Sequence, residues 1–421
     1  MSRHPRWLLG VLALGGGCRD ACRERTPEPA LSPPEAPPAR EVSARCAAEV
    51  ANASVVTPPG TGDIDALSVG CREGTLGVFI LRGHVLSWTA RAAAQGEAFS
   101  RPVVVSTGAD RLGPVAADAP EGPVAWRSPV AGLDVSERDD VWGATVTRAD
   151  GGASARRGDA VLPEGVLGLG VPFARMERGA LRVMAAVARE GVAPSTVSLD
   201  LTLGRESPAQ VTALPAGDAG QIEAWEPARD VTLSRVEEGG VAYLEARFAR
   251  GGRARYRVSA PEVVVVPRGA ATEAGAVFLV GEFAVGRGDG GACVGAPGGI
   301  CVRPGRVSLL VARAGEDALR AIEVAPRGIP DALAAEGRTV TALYVEPGDG
   351  EATTQRAARV DALTGAREAL DLAPPQGFPA IDSPQLARCG EDLWLVAAIA
   401  QGGGTVDRTA VTALPLACLL R

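Results

Sequence analysis

The sequence has no lysine and a single asparagine, Asn52, so all 43 of its basic side chains are arginine. That bias fits a G+C-rich genome and carries no functional message. Histidine is almost missing too, with only His4 and His84. A zinc site or a Ser-His-Asp triad would have to be built on His84, in Leu-Arg-Gly-His-Val-Leu-Ser-Trp. No G-x-S-x-G elbow or second metal-type cluster accompanies it, so His84 reads as a hairpin residue, and no catalytic residue, metal or cofactor is expected. Aromatic residues make up 4% of the chain, a thin supply for the stacking platforms of a sugar-processing cleft. A basic balance is lacking as well: the net charge is −7, and −9 without Arg3 and Arg6, which argues against a nucleic-acid partner.

Long apolar runs are also missing. The longest near the start, Trp7 to Leu14, falls well short of the roughly 20 residues a spanning helix needs. It follows Arg3 and Arg6 and leads into Gly15-Gly16-Gly17-Cys18, the layout of a signal peptide over residues 1–17. Small residues directly before Cys18 resemble the lipobox of bacterial lipoproteins, although Gly15 stands where that family usually has Leu. The resemblance implies diacylglyceryl attachment at Cys18, cleavage before it, and a cell-envelope location with the membrane as a partner. The alternative is ordinary cleavage that releases a soluble secreted or periplasmic protein. Residues 18–45, dense in Pro, Glu and Ala, cannot build a core and read as a disordered tether.

Residues 46–421 carry the fold. Strands are predicted by period-two alternation, as in Val197 to Leu203 and in Arg253-Ala254-Arg255-Tyr256-Arg257-Val258, where three arginines share one face. Continuous apolar runs at Val263–Val266, Ala276–Val280 and Leu393–Ala400 predict strands buried on both faces. One pattern, an acidic turn followed by an apolar run, recurs seven times, at Glu73, Glu121, Glu177, Glu238, Glu273, Glu336 and Glu391. Its mean step is close to the length of a propeller blade. The body therefore resembles an all-β propeller of seven blades, with each glutamate in the turn between the first and second strands of its blade. The segment Cys46 to Val56 then supplies the closing strand. The step of 35 between Glu238 and Glu273 is too short for a blade, and two β-sandwich domains divided near Pro215 to Gly220 are the alternative.

Seven cysteines remain after Cys18. Cys293 and Cys301 bracket a Gly-rich loop that a disulfide would close, Cys46, Cys71, Cys389 and Cys418 allow three connectivities, and Cys22 is the leftover thiol. The insertion Val285 to Gly305 is the candidate binding loop, with Arg287, Asp289 and Arg303 facing an acidic or polar partner. Its Arg-Gly-Asp tripeptide and the Asn52-Ala-Ser54 sequon are read as coincidences. Asp63, Asp65 and the pair Asp139-Asp140 lack calcium-loop spacing and read as turn residues. Two functions follow: a non-catalytic envelope lipoprotein whose propeller binds a protein or polymer of the envelope, or a carbohydrate-active hydrolase or lyase with paired carboxylates in the central funnel. The mass of the mature N-terminus tests the anchor: a diacylglyceryl-modified Cys18 is expected, and an unmodified Cys18 contradicts it.

Overall fold

The computed structural model describes residue 46 and residues 54–420, apart from 93–96, 130–138, 150–151, 178, 205–208, 211–217, 288–293, 296–299, 349–352, 373–380 and 401–407. The chain divides into two units, residues 1–41 and 42–421, and every described residue belongs to the second. That unit is a seven-bladed β-propeller, not a pair of sandwiches.

Each blade is built on an antiparallel meander with its innermost strand at the axis, and in the second blade Ala209–Gln210 adds a parallel edge strand. The innermost strands are Ile64–Arg72, Arg111–Leu112, Val166–Glu177, Gln221–Glu226, Ala270–Thr272, Ile329–Glu336 and Ile381–Cys389. Neighbouring innermost regions touch in succession, and the first touches the last, so the ring closes. The closing strand comes from the N-terminal side: Val55–Val56 pairs with Arg408–Pro415, the third strand of the seventh blade. Ring closure by the Cys46 to Val56 segment is thus as the sequence reading required.

Seven apolar clusters fill the seven gaps between blades. Alternate residues of one strand serve two of them, which is why so many strands read as unbroken apolar runs. In Asp392–Ala400, Trp394, Val396 and Ala398 pack toward the first blade, whereas Leu395 and Ala397 pack toward the sixth. Full burial of each large side chain is worth about 1.5–3 kcal/mol, so radial packing carries most of the stability. The stretches near Ala332 and Ala357, ambiguous in sequence, are strands of the sixth blade.

Six of the seven glutamates lie in or beside the turn between the first two strands of a blade. Glu238 does not: it ends the second strand of the fourth blade, Val231–Glu238. The residue in register is Glu226, at the end of Gln221–Glu226, and with it the steps of 61 and 35 become 49 and 47. Glu226 is 1% exposed and accepts hydrogen bonds from the amides of Ala228 and Arg229, both at 2.8 Å, so it organises the turn itself. Asp139 and Asp140 are also not turn residues. They open the strand Asp139–Ala149, and Asp139 is buried, accepting from the Gly168 amide at 2.6 Å.

Of the three connectivities open to four cysteines, the fold selects Cys46–Cys418 and Cys71–Cys389, with Cα atoms 5.2 and 5.4 Å apart. The second joins the innermost strands of the first and last blades, two residues before Glu73 and Glu391 of their acidic turns. Beside it, the buried guanidinium of Arg91 lies 5.1 Å over the Trp394 ring and donates to the Ala413 carbonyl, fastening the first blade to the seventh. Across the axis, Arg268 of the fifth blade donates to the carbonyls of Val69 in the first blade and Leu386 in the seventh. Burial alone lowers its pKa to about 10, so it stays charged at neutral pH.

A cross-link between residues 318 positions apart removes much of the unfolded chain's freedom. Cys71→Ser with Cys389→Ser is expected to cost about 3–5 kcal/mol and to lower the calorimetric Tm by several degrees. An unchanged Tm contradicts the closure role.

Candidate functional site: the groove between the third and fourth blades

The seven interfaces are not alike. Between the fourth and fifth blades the apolar cluster draws on all four strands of the fourth blade, from Ala224 through Leu233 and Leu244 to Ala254. Between the third and fourth blades, among the described residues, it holds Phe173, Met184, Ala186, Ile222 and Trp225, with Leu169 and Val171 beside them. The fourth blade gives this cluster residues of its innermost strand alone. Farther from the axis, the described side chains that face each other are polar.

The reason is in the strand alternation. In Val241–Phe248 and Arg253–Arg257 of the fourth blade, Leu244, Ala246 and Ala254 pack toward the fifth blade. Tyr243, Glu245 and Arg247, paired across the ladder with Arg257, Arg255 and Arg253, therefore face the third. On the opposing wall, Val197, Leu199 and Leu201 pack toward the second blade, which turns Ser198 and Asp200 toward the fourth. The side chains of Asp200 and Arg253 are 62% and 64% exposed, so among the described residues this part of the interface is a groove open to solvent.

Its fourth-blade wall is rigid. Glu245 is fully buried and accepts from Arg247 at 2.6 Å and Arg255 at 2.5 Å, with Arg253 at 3.9 Å. Burial works to raise the Glu245 pKa, and Arg247 and Arg255 outweigh it and hold the carboxyl below its usual range. Arg255 also bonds Glu238 and lies 5.5 Å over the Tyr243 ring. Its backbone is clamped to the fifth blade, the amide donating to Asp317 and the carbonyl accepting from Leu319. On the opposite wall, Arg182 holds Asp200 at 2.7 Å and Glu177 at 2.7 Å.

Glu177 links the groove to a cleft of about 430 Å³ on the propeller face that carries the turns between first and second strands. Arg175 bridges the carboxylates of Glu177 and Asp230 inside it, and the Trp225 indole donates to Asp230 at 3.2 Å. Met176, 44% exposed, gives a flexible apolar surface. The third wall holds Asp118 and Pro123, on a loop docked against the first blade, where the Trp88 indole donates to the Pro120 carbonyl at 2.8 Å. At Gly77 an added Cβ would stand 1.9 Å from that same carbonyl oxygen, so glycine is required for the loop to sit there.

The opposite mouth of the channel is acidic. Four innermost strands bulge near their start, at Asp65, at Glu223, at Asp331 and just after Asp382. A bulge re-aims its side chain, and the local sequences Ile-Asp65-Ala, Ile-Glu223-Ala, Pro-Asp331-Ala and Ile-Asp382-Ser are a short repeat that sequence reasoning missed. The half-buried Asp331 has its pKa raised to about 7, chiefly by desolvation and further by the charge of Asp382, against a hydrogen bond from Gln355. Glu223 is likewise raised to about 7 by burial and by Glu262, with Arg235 opposing.

The residues singled out from sequence lie elsewhere. His84 sits in a hairpin turn of the first blade, its Nδ1 3.2 Å from the Ala109 carbonyl oxygen. Val285 to Gly305 is in part a long hairpin, because Gly275–Arg287 and Ile300–Ala312 run 13 residues each. Arg303 is exposed and pairs with Ala284, and Arg287 pairs with Ile300 at the end of the ladder. Asp289 and Cys293 lie outside the described residues, and with them the Cys293–Cys301 bridge; so do Cys18 and Cys22. Among the described residues, no group of three or more His, Cys, Asp or Glu side chains is placed to hold a metal ion.

No protein-family model and no curated protein matches the chain. Solved structures match it as a fold. An ACO/RPE65 chimera shares 11% identity over 70% of this chain and 75% of its own, with a TM-score of 0.42. A polysaccharide lyase, described as an ulvan lyase, shares 9% over 86% and 95%, with a TM-score of 0.41. A protein of unknown function from Dyadobacter fermentans shares 10% over 86% and 97%, with a TM-score of 0.38. Likeness at this level carries no functional argument.

The raised carboxyls make a pH prediction. A folded-state pKa near 7, above the unfolded value of 3.8, means that the native state binds the Asp331 proton more tightly. Stability from this group is therefore present at low pH and is lost as pH rises from about 4 through 7. Asp331→Asn is expected to stabilise the protein at pH 8 by about 2 kcal/mol and to be near neutral at pH 4.5. Equal effects at both pH values contradict the shift.

Proposed function

We propose that the chain is a non-catalytic lipoprotein of the bacterial cell envelope, anchored through Cys18, whose propeller is a binding platform for a protein or polymer of that compartment. The observation that carries this reading is the groove between the third and fourth blades. Among the described residues, six interfaces are spent on apolar packing along the blade, whereas this one keeps charged, pre-organised side chains exposed to solvent. Such walls lower the ordering cost of binding, because the arginines are already held by carboxylates and by the backbone ladder. Two disulfides accord with an oxidising compartment. Trp88, Trp126 and Trp394, each 2% exposed or less, are consumed by the core and do not line a sugar-binding surface.

A second reading, a carbohydrate-active hydrolase or lyase, is favoured by one observation, the proton-holding Asp331 beside Asp382 at the acidic mouth. The two readings separate experimentally. The full chain, purified in detergent, is expected to sediment with isolated envelope fragments, and Met176→Glu, which adds a charge to the cleft next to Glu177, is expected to weaken this at least fivefold without lowering Tm. Absence of sedimentation contradicts the platform. Release of unsaturated or reducing ends from envelope polysaccharide, lost in Asp331→Asn, would replace it with the enzyme reading.

A further inference from the structure

We infer that the groove between the third and fourth blades is a docking site for a linear anionic polysaccharide, read by the arginines of the hairpin formed by Val241–Phe248 and Arg253–Arg257. The inference rests on the platform reading and names its partner class. Residues 246–260 contain five arginines, at 247, 250, 253, 255 and 257, and no carboxylate. The remaining 38 arginines face 50 carboxylates, so a positive stripe is set into an acidic body.

The five have different jobs. Arg247 and Arg255 are held by Glu245 and shape the wall. Arg250 and Arg257 are exposed and make no ion pair among the described residues, and Arg253, 64% exposed, has only the 3.9 Å approach to Glu245. These three are available to a ligand. Arg253, Arg255 and Arg257 alternate along one strand, which sets successive guanidinium positions roughly 7 Å apart on one face. Arg250 extends the row around the hairpin turn. A planar guanidinium pairs with a carboxylate or sulfate through two parallel hydrogen bonds, so a thin chain with regularly spaced anions can engage several in register.

The shape of the ligand follows from the rest of the surface. Charges farther apart than about 8 Å are largely screened at physiological salt. A broad anionic partner, such as a membrane or a globular acidic protein, would bring its charges against the carboxylates that surround the stripe. A narrow polymer lying in the groove meets the arginines and Tyr243, whose ring already carries Arg255. On the third blade, Asp200 is paired to Arg182, so its charge is already neutralised where the ligand would pass.

The test uses the full chain in detergent, with polygalacturonate as probe and neutral dextran and single-stranded DNA as comparators. Polygalacturonate is expected to bind and dextran not to. The triple variant Arg250→Ser, Arg253→Ser, Arg257→Ser is expected to raise Kd at least tenfold with Tm unchanged, while the corresponding triple lysine variant stays within tenfold of the parent. Affinity is expected to fall several-fold between 50 and 200 mM salt. The inference is overturned if the parent does not bind polygalacturonate, if the serine variant binds as the parent does, or if DNA binds as tightly as the polysaccharide. Should sedimentation with envelope fragments persist while polygalacturonate fails to bind, this inference falls and the platform reading stands; loss of sedimentation in the parent removes both.

Discussion

One buried guanidinium crosses the axis of this propeller. A propeller is a ring of sheets, each needing two neighbours, and it is only as stable as its closure. Arg268 leaves the fifth blade, whose backbone there pairs with Trp225 of the fourth, and ends on carbonyl oxygens of the first and seventh. It thus ties both sides of the closure seam to the opposite side of the ring. Its charge lacks a carboxylate partner in these contacts, a costly arrangement that persists only where hydrogen bonds are fixed and water is excluded. Arginine suits this place because its guanidinium is weakly hydrated and does not lose its proton.

The remaining closure devices sit on the same seam: the Val55–Val56 strand, two disulfides, and Arg91 over Trp394. Their concentration there frees another interface from structural duty. Between the third and fourth blades the apolar cluster of the described residues stops near the axis, and the ring tolerates an exposed, charged groove because closure is secured elsewhere. Function on a rigid scaffold needs such a place, where side chains are ordered without being buried.

Much of this was legible in the residues. Apolar runs such as Leu393 to Ala400 announced strands covered on both faces, and the seven acidic turns gave the blade count. The slip at Glu238 has a physical cause: any β-hairpin ends in a polar turn, so the outer hairpin of the fourth blade imitated the inner one, while the true residue, Glu226, is hidden among apolar neighbours and spends its carboxylate on two backbone amides. The three arginines of Arg253–Arg257 were visible as one face of a strand. That the face opens on a groove was not, because it depends on how two neighbouring blades pack, which the alternation within one strand does not record. The acidic bulges stayed hidden for a similar reason, since a one-residue insertion shows only when strands are paired. Arg268 gave no signal at all: nothing local distinguishes it from an arginine in a surface turn.

The closure of the ring depends on that axial arginine. Hydrogen exchange of the Arg268→Met variant, followed amide by amide, is the direct measurement. Protection is predicted to drop at least tenfold along Ile64–Arg72 and Ile381–Cys389, while Val231–Glu238 and Ala180–Arg189 keep theirs. Unaltered protection on both sides of the seam would contradict a ring tied across its centre.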